Sequence, residues 1–339
     1  MSKLEKANKE HSDKFLSTEA HELPDDKRNK LKKAKKLEGV TIVYLISVVI
    51  VMYLTLGSSQ AMKTAWLEDT LSIIPALVFL IAYSIYDKRP PDHKFQYGFH
   101  KVFTVAFLIG SFALLLMGLY TVYDSAMALI RAEHPTIGNT TMFGHTVWMG
   151  WLMIAALLWS FIPALFLGRR KLSYAKELHN KILFTDANTQ KADWQTAGAA
   201  IAGIIGVGFG IWWFDSAAAL FIALNIAKDG FLRTKGAITD IMEQVPTEID
   251  EDTKLHSLDF KIYEFFKELD WVKDVRVRLR ENGAVFFGEV FIIPADHIQT
   301  TDDLIGKIEQ SYKEIRQIDW KIHDLTIQPV KGFKKVEKV

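Results

Sequence analysis

Long runs without a charged residue most strongly limit what this chain can fold into. No Asp, Glu, Lys or Arg occurs within 40–57, 70–86, 102–123, 146–168 or 194–214. A bilayer core is about 30 Å thick, and a helix of roughly 20 apolar residues crosses it. Runs so long and so numerous do not fit the buried helices of a soluble domain. The sequence predicts six transmembrane helices, at about 40–57, 60–86, 102–129, 145–168, 182–208 and 211–233.

Composition removes several other classes of protein. The chain has 339 residues, a formal net charge of +1 and no cysteine. Disulfides, thiolate metal ligands and cysteine nucleophiles are therefore excluded. A net charge near zero gives no general attraction to nucleic acid, and we expect no such partner. Because we find no nucleophile-plus-base arrangement, phosphate-binding loop or HExxH motif, we do not expect an enzyme.

Lysine and arginine in the short loops predict the orientation. Segment 87–101 carries four of these bases and segment 169–181 carries five, whereas Arg131 is the one base between spans three and four. Basic loops remain on the cytoplasmic side of a membrane. We therefore predict a multi-pass protein of the cell (inner or plasma) membrane, with both termini in the cytoplasm.

Three parts follow from the distribution of charge. Residues 1–37 are rich in charge and poor in large apolar residues, and they predict a disordered, basic cytoplasmic tail. Residues 38–235 form the predicted six-span domain. Residues 236–339 predict a cytoplasmic α+β domain in the order α-β-β-α-β, which is ferredoxin-like. Its predicted elements are a helix at 251–269 capped by Thr247 and Asp250, strands at 272–279 and 284–293, a helix at 300–318 and a strand at 320–330.

Acidic residues inside the second and fifth spans mark a candidate site, because a charge within a membrane is costly. Span two holds Glu68 and Asp69. Span five holds Asp186, Thr189 and Asp193, and its two acids are about two helical turns apart on one face. Carboxylates that converge in a medium of low dielectric repel one another unless a metal ion or protons neutralise them. Exchange between those two ligands would give antiport.

Less specific interpretations of the same residues remain open. The acids could belong to an interhelical polar network that Lys63 or Lys191 neutralises, and Asp186 could face cytoplasmic water. Pro75 predicts a kink in span two, and the five glycines of 198–210 predict close helix packing.

Histidines are confined to the loops and the C-terminal domain. Asp92, His93 and His100 lie close together in the 87–101 loop and form a candidate peripheral metal site of low specificity. Without cysteine, and without histidine deep in a span, oxygen is the expected ligand atom within the membrane.

The order of these features resembles the cation diffusion facilitator family. Ser58–Ile73 resembles the family's run of small residues leading to its first metal-binding acid. Pro91–Lys101 resembles the loop rich in Asp and His with an aromatic-Gly pair, and Thr189–Asp193 lies where the family has His or Asp, three residues and Asp.

The resemblance implies a transport site built by spans two and five. Asp69 and Asp193 match two of its four ligands, while Ile73 stands in place of the second acid and Thr189 in place of His or Asp. Glu68, Asp186 or Gln190 could supply the missing ligands. The expected substrate is a divalent cation among Mg²⁺, Mn²⁺, Fe²⁺, Co²⁺ and Zn²⁺, and ligation by oxygen favours the harder ions.

The resemblance also implies an activity and an assembly. We expect a secondary active transporter that exports a divalent cation from the cytoplasm in exchange for protons. We expect a homodimer in the lipid bilayer, with Lys101 and either Asp240 or Glu243 forming a charge lock between subunits. The alternative is a metal-sensing or scaffold membrane protein whose transport site is degraded.

Overall fold

The computed structural model divides the chain into two compact units. Residues 26–90 and 102–238 form the helical unit, and residues 91–101 with 239–339 belong to the C-terminal unit. The residues described are 23–88, 95, 97–132, 134–142, 144–249 and 251–333, without the side chains of 88, 142, 191–193 and 251–253.

In the described part of the chain, the helical unit is built of seven helices. They are α1 (Asp25–Thr55), α2 (Gln60–Leu71), α3 (Ile73–Lys88), α4 (Val102–Ile130), α5 (Met149–Glu177), α6 (Lys181–Gly208) and α7 (Trp212–Ile241). Among the described residues, four stretches are long and apolar enough to cross a membrane: α1, α2 with α3, α4 and α5. The several apolar helices are thus confirmed, while the count of six spans stays a prediction.

The helix α1 begins earlier than the sequence predicted. Residues 25–37 were assigned to a disordered tail, but they are helical. Leu31 and Ala34 are buried, and Lys30 forms an ion pair with Glu177 at the end of α5. These contacts stabilise a segment that composition alone predicts to be unfolded. Residues 1–22 of the predicted tail lie outside the described residues.

The helix α5 likewise extends through most of the predicted basic loop 169–181. A short hairpin of β1 (Asn139–Met142) and β2 (His145–Trp148) precedes it. The chain then turns at His179, whose φ of 46° is left-handed. Asn180 caps α6 by accepting a hydrogen bond from the amide of Leu183 at 3.1 Å.

A mixed three-stranded sheet is central to the C-terminal unit. Its elements are β3 (Thr247–Glu248), β4 (Glu251–Leu255), α8 (Ser257–Lys267), β5 (Val272–Asn282), β6 (Val285–Pro294), α9 (Thr301–Ile318) and β7 (Ile322–Pro329). The sheet order is β5-β6-β7, with β6 antiparallel to β5 and parallel to β7. Gly283, at φ 68°, makes the predicted hairpin turn. The predicted order α-β-β-α-β is present from α8 to β7.

One prediction for this unit was wrong. The helix expected at 251–269 begins only at Ser257, because residues 251–255 pair with β3 as a strand. The cap is His256, whose Nδ1 accepts a hydrogen bond from the amide of Leu258 at 3.1 Å. From there Leu258, Ile262 and Phe266 pack into the core against the sheet.

Candidate functional site

A break in the second predicted span lies immediately after its two acids. The helix α2 ends at Leu71 and α3 begins at Ile73. Pro75 has no N–H to donate to the carbonyl of Leu71, four residues earlier, so the helical ladder is interrupted there. Ser72 closes the end of α2, since its amide donates to the carbonyl of Glu68 at 2.9 Å. The second predicted span is therefore interrupted at Ser72, and the kink expected from Pro75 stays a prediction.

Glu68 and Asp69 contact different neighbouring helices. Asp69 is buried, and its carboxylate accepts a hydrogen bond from the hydroxyl of Ser160 on α5 at 2.7 Å. Glu68 is partly buried and contacts Thr196 of α6. Sequence reasoning missed Ser160, since serine is an ordinary residue of membrane helices.

Of the three candidates on α6, the structure describes the side chains of Asp186 and Thr189. The side chain of Asp193 lies outside the description, although its backbone is helical. Thr189 donates its hydroxyl to the carbonyl of Thr185 at 3.1 Å, as a threonine in a membrane helix often does. The hydroxyl oxygen of Thr189 can still accept a hydrogen bond or bind a cation.

Asp186 belongs to a buried ion cluster with Lys171 of α5 and Glu38 of α1. Lys171 donates to Asp186 and, at 2.8 Å, to Glu38. Asp186 therefore does not face water, and Lys171 neutralises it, while Lys63 pairs with Asp124. The sequence predicts Lys171 in a basic loop, but the residue lies on α5 and its side chain is buried in the helical unit.

A small cavity lies next to this ion cluster. Its volume is about 20 Å³, which is room for one water molecule or ion. Every polar side chain that lines the cavity offers an oxygen atom: Ser72, Ser111, Thr185, Asp186 and Thr189. The cavity thus brings together two predicted ligands, Asp186 and Thr189, and adds three hydroxyls that the sequence did not indicate.

Asp69 lies well away from Asp186 in this arrangement. Their respective partners, Ser160 and Lys171, are eleven residues apart on α5, and that separation is about 16 Å of helical rise. Among the side chains that the structure describes, no group of three or more His, Asp or Glu is placed to hold a metal ion. Among the described ligands, Asp69 and Asp186 therefore have separate partners, and whether Asp193 joins either of them stays a prediction.

A buried acid that the sequence did not single out fixes the start of α2. Asp215, in the first turn of α7, accepts hydrogen bonds from the hydroxyl of Ser59 at 2.7 Å and from the amide of Gln60 at 2.5 Å. A carboxylate at a helix N-terminus is stabilised by the free amides there. Asp215 thereby ties α7 to the helix that carries Glu68 and Asp69.

Of the three residues proposed for a peripheral metal site, the structure describes His100. Asp92 and His93 lie outside the described residues. The ring of His100 is 4.5 Å from that of His323 and also contacts Phe287. Burial lowers the pKa of His100 to about 4. The two histidines were not associated by the sequence, because they lie on distant segments.

The predicted charge lock is formed within a single chain. Lys101 donates to Glu243 at 2.7 Å, and Arg280 approaches the same carboxylate at 3.4 Å. The hydrogen bond from Lys101 lowers the pKa of Glu243. Asp240 accepts a hydrogen bond from Gln244 instead. A role for this pair between subunits stays a prediction.

Comparison with known proteins gives a consistent result. The model of the cation efflux transmembrane domain matches residues 39–242. The manganese efflux system protein MneS of Bacillus subtilis is 25% identical over 304 residues, which are 87% of this chain and 96% of that protein. A cadmium, cobalt and zinc/H⁺-K⁺ antiporter of Bacillus velezensis is 26% identical over 57% of this chain and 56% of its own length. The metal cation efflux system protein CzcD of Cupriavidus metallidurans is 25% identical over 68% of this chain and 67% of its own length.

Proposed function

Because the chain belongs to the cation efflux family, whose members are transporters and not enzymes, we propose that it exports a divalent metal cation from the cytoplasm in exchange for protons. The working unit in this proposal is a homodimer of six-span protomers with both termini in the cytoplasm. The chain is a multi-pass membrane protein, which agrees with the apolar helices of the helical unit.

The observation that carries the proposal is the cavity beside α2 and α6. All its polar side chains offer oxygen, and one of them, Asp186, is a carboxylate. Oxygen ligands suit hard cations such as Mg²⁺ and Mn²⁺ better than they suit Zn²⁺. The relative MneS, which matches over 87% of this chain, is a manganese efflux protein according to its name, so we take Mn²⁺ as the first candidate substrate.

In the proposed cycle, the cation enters past Asp186 and is held by Asp69 and Asp193, with Thr189 and Glu68 assisting. The break between α2 and α3 lets these two halves of the second span move separately. The ligands Asp193 and Thr189 lie on α6. Movement of the bundle then exposes the site to the other side, where protons replace the metal. The carboxylates bind either ligand, because each neutralises their charge.

Reconstitution into liposomes tests the proposal. Mn²⁺-driven proton flux, followed with a pH-sensitive dye, should fall at least tenfold in Asp69→Asn and in Asp193→Asn. The matched control is Asp296→Asn, which changes an exposed acid of the C-terminal unit and should leave the flux unchanged. Light scattering of the detergent-solubilised chain should give twice the protomer mass.

Two outcomes would contradict the proposal at different levels. Normal flux in both Asp69→Asn and Asp193→Asn would refute the site while leaving the activity. No flux with Mg²⁺, Mn²⁺, Fe²⁺, Co²⁺ or Zn²⁺ would refute the activity and favour a metal sensor or scaffold. The absence of a three-ligand group among the described side chains is the observation behind that second candidate.

A further inference from the structure

Three helices of the helical unit meet at a completely buried ion cluster. Lys171 of α5 donates to Glu38 of α1 and to Asp186 of α6, and all three side chains are at most 3% exposed. Two carboxylates share one ammonium, so the cluster carries a formal charge of −1. Buried charges are stable only when they are paired and hydrogen-bonded. Lys171 therefore neutralises Asp186 while no other cation is near.

Asp186 has a second environment within reach. Besides contacting Lys171, it lines the small cavity together with Thr189 and three more hydroxyl side chains, among residues that are otherwise apolar. A cation in that cavity and the ammonium of Lys171 would bind the same carboxylate. Because like charges repel strongly in a medium of low dielectric, both cannot be held there at full strength.

Glu38 offers a place for the displaced ammonium. Its Oε2 already accepts from Lys171, and its Oε1 is buried without a hydrogen-bond partner among the described residues. A buried acceptor in that state is costly, and a shift of Lys171 toward Glu38 would satisfy it. Lys171 therefore has two carboxylate acceptors, Glu38 and Asp186, and Glu38 has one oxygen atom that can accept a further hydrogen bond.

We propose that Lys171 is a built-in counter-cation that competes with the transported metal ion for Asp186, and that Glu38 receives the ammonium when the metal binds. The inference rests on the proposed function, since it assumes that a divalent cation binds in the cavity beside Asp186, the entry position of the proposed cycle, before it reaches Asp69 and Asp193. It assigns Lys171 and Glu38 as affinity-setting residues that never touch the metal. In the empty protein the same ammonium holds α1, α5 and α6 together.

Calorimetry with Mn²⁺ on the full chain in detergent tests the competition. Removal of the competitor in Lys171→Met should lower the Kd for Mn²⁺ at least tenfold. Glu38→Gln keeps an acceptor oxygen but removes its negative charge, so the ammonium pairs more strongly with Asp186 and the Kd should rise at least tenfold. Lys171→Arg keeps the charge and should stay within threefold of the wild-type chain.

The double variant isolates the coupling between the two residues. Once Lys171 is methionine there is no ammonium to receive, so adding Glu38→Gln should leave the Kd within threefold of Lys171→Met alone. A purely structural role for the cluster predicts instead that both single variants weaken binding. If Lys171→Met does not fold to a monodisperse protein, Lys171→Gln takes its place, since it also removes the charge, and its Kd should likewise fall at least tenfold.

The results that would overturn the inference are distinct from those that would overturn the function. A wild-type chain that binds and transports Mn²⁺, with a Kd unchanged in Lys171→Met and Glu38→Gln, refutes the competition alone. So does a Kd that rises in Lys171→Met. A wild-type chain that neither binds nor transports any divalent cation refutes the proposed function, and the competition with it.

Discussion

Polar side chains within the helical unit contact partners on other helices. Lys63 of α2 forms a 2.7 Å ion pair with Asp124 of α4, and Asp69 of α2 accepts from Ser160 of α5. Such pairing lowers the cost of placing charge within a membrane. Because each contact joins two helices, these residues help to fix the arrangement of the helices.

At this scale the sequence indicates which residues are unusual but not where they point. Asp69 and Asp186 stand out because they interrupt apolar runs. Ser160 and Lys171 do not, since a serine is common in such helices and Lys171 follows two arginines at the end of a span. Only the rotation of α5 shows that Lys171 turns inward and is completely buried.

His100 makes the stability of the C-terminal unit depend on pH. Burial lowers its pKa to about 4 from the usual 6.5, so the unfolded chain binds the proton more tightly than the folded one. The contribution of the neutral ring is complete above pH 6.5 and is lost as the pH falls from there toward 4. In thermal unfolding followed by fluorescence, His100→Phe should lose less stability than the wild-type chain between pH 7 and pH 5.

The control for this measurement is His297→Phe, because His297 is an exposed histidine of the same unit. It should follow the wild-type chain at every pH. Equal pH slopes for His100→Phe and the wild-type chain would show that His100 is not the titrating group.

Among the elements, α4 and α7 approach more closely than the sequence indicated. A Cβ on Gly118 of α4 would lie 2.5 Å from the backbone nitrogen of Ala227 on α7. A Cβ on Gly230 of α7 would lie 2.5 Å from the backbone nitrogen of Leu115. The sequence predicted close packing at the glycines of 198–210. Gly203, Gly206 and Gly208 are closely packed there, whereas Gly198 has no described atom within 4 Å of such a Cβ. Glycine content therefore did not reveal which helices cross, because the face of each glycine depends on the packing.

Substitution of these glycines gives a prediction at the level of the helix pair. Gly118→Ala and Gly230→Ala each place a methyl group against rigid backbone, so α4 and α7 must separate. Overpacking of this kind costs about 1–3 kcal/mol. The unfolding temperature in detergent should fall for both variants, while Gly198→Ala, the matched control on α6, should not destabilise the chain. A lowered unfolding temperature in the control alone would contradict the close approach of α4 and α7.

For the whole molecule, the number of spans depends on whether α6 and α7 cross the membrane. The helices α6 and α7 contain 28 and 30 residues, enough to cross a bilayer, but they fall outside the four stretches that qualify by length and hydropathy. The acids and bases that lower their hydropathy include Asp186, which is buried, and Asp215, which caps α2. Hydropathy treats these residues as exposed to lipid, whereas the structure shows that other helices shield them.

Labelling of single cysteines separates six spans from four, and the chain needs no prior substitution because it has no cysteine of its own. Phe209, between α6 and α7, is 82% exposed. Phe209→Cys should react with a membrane-impermeant maleimide from outside intact cells if α6 and α7 both cross, and only after permeabilisation if neither does. Thr136→Cys should react from outside under either topology, and Asp302→Cys of the C-terminal unit should react only after permeabilisation. The reverse pattern for these two controls would invert the predicted orientation and with it the direction of export, because the basic segments 87–101 and 169–181 would then face outward.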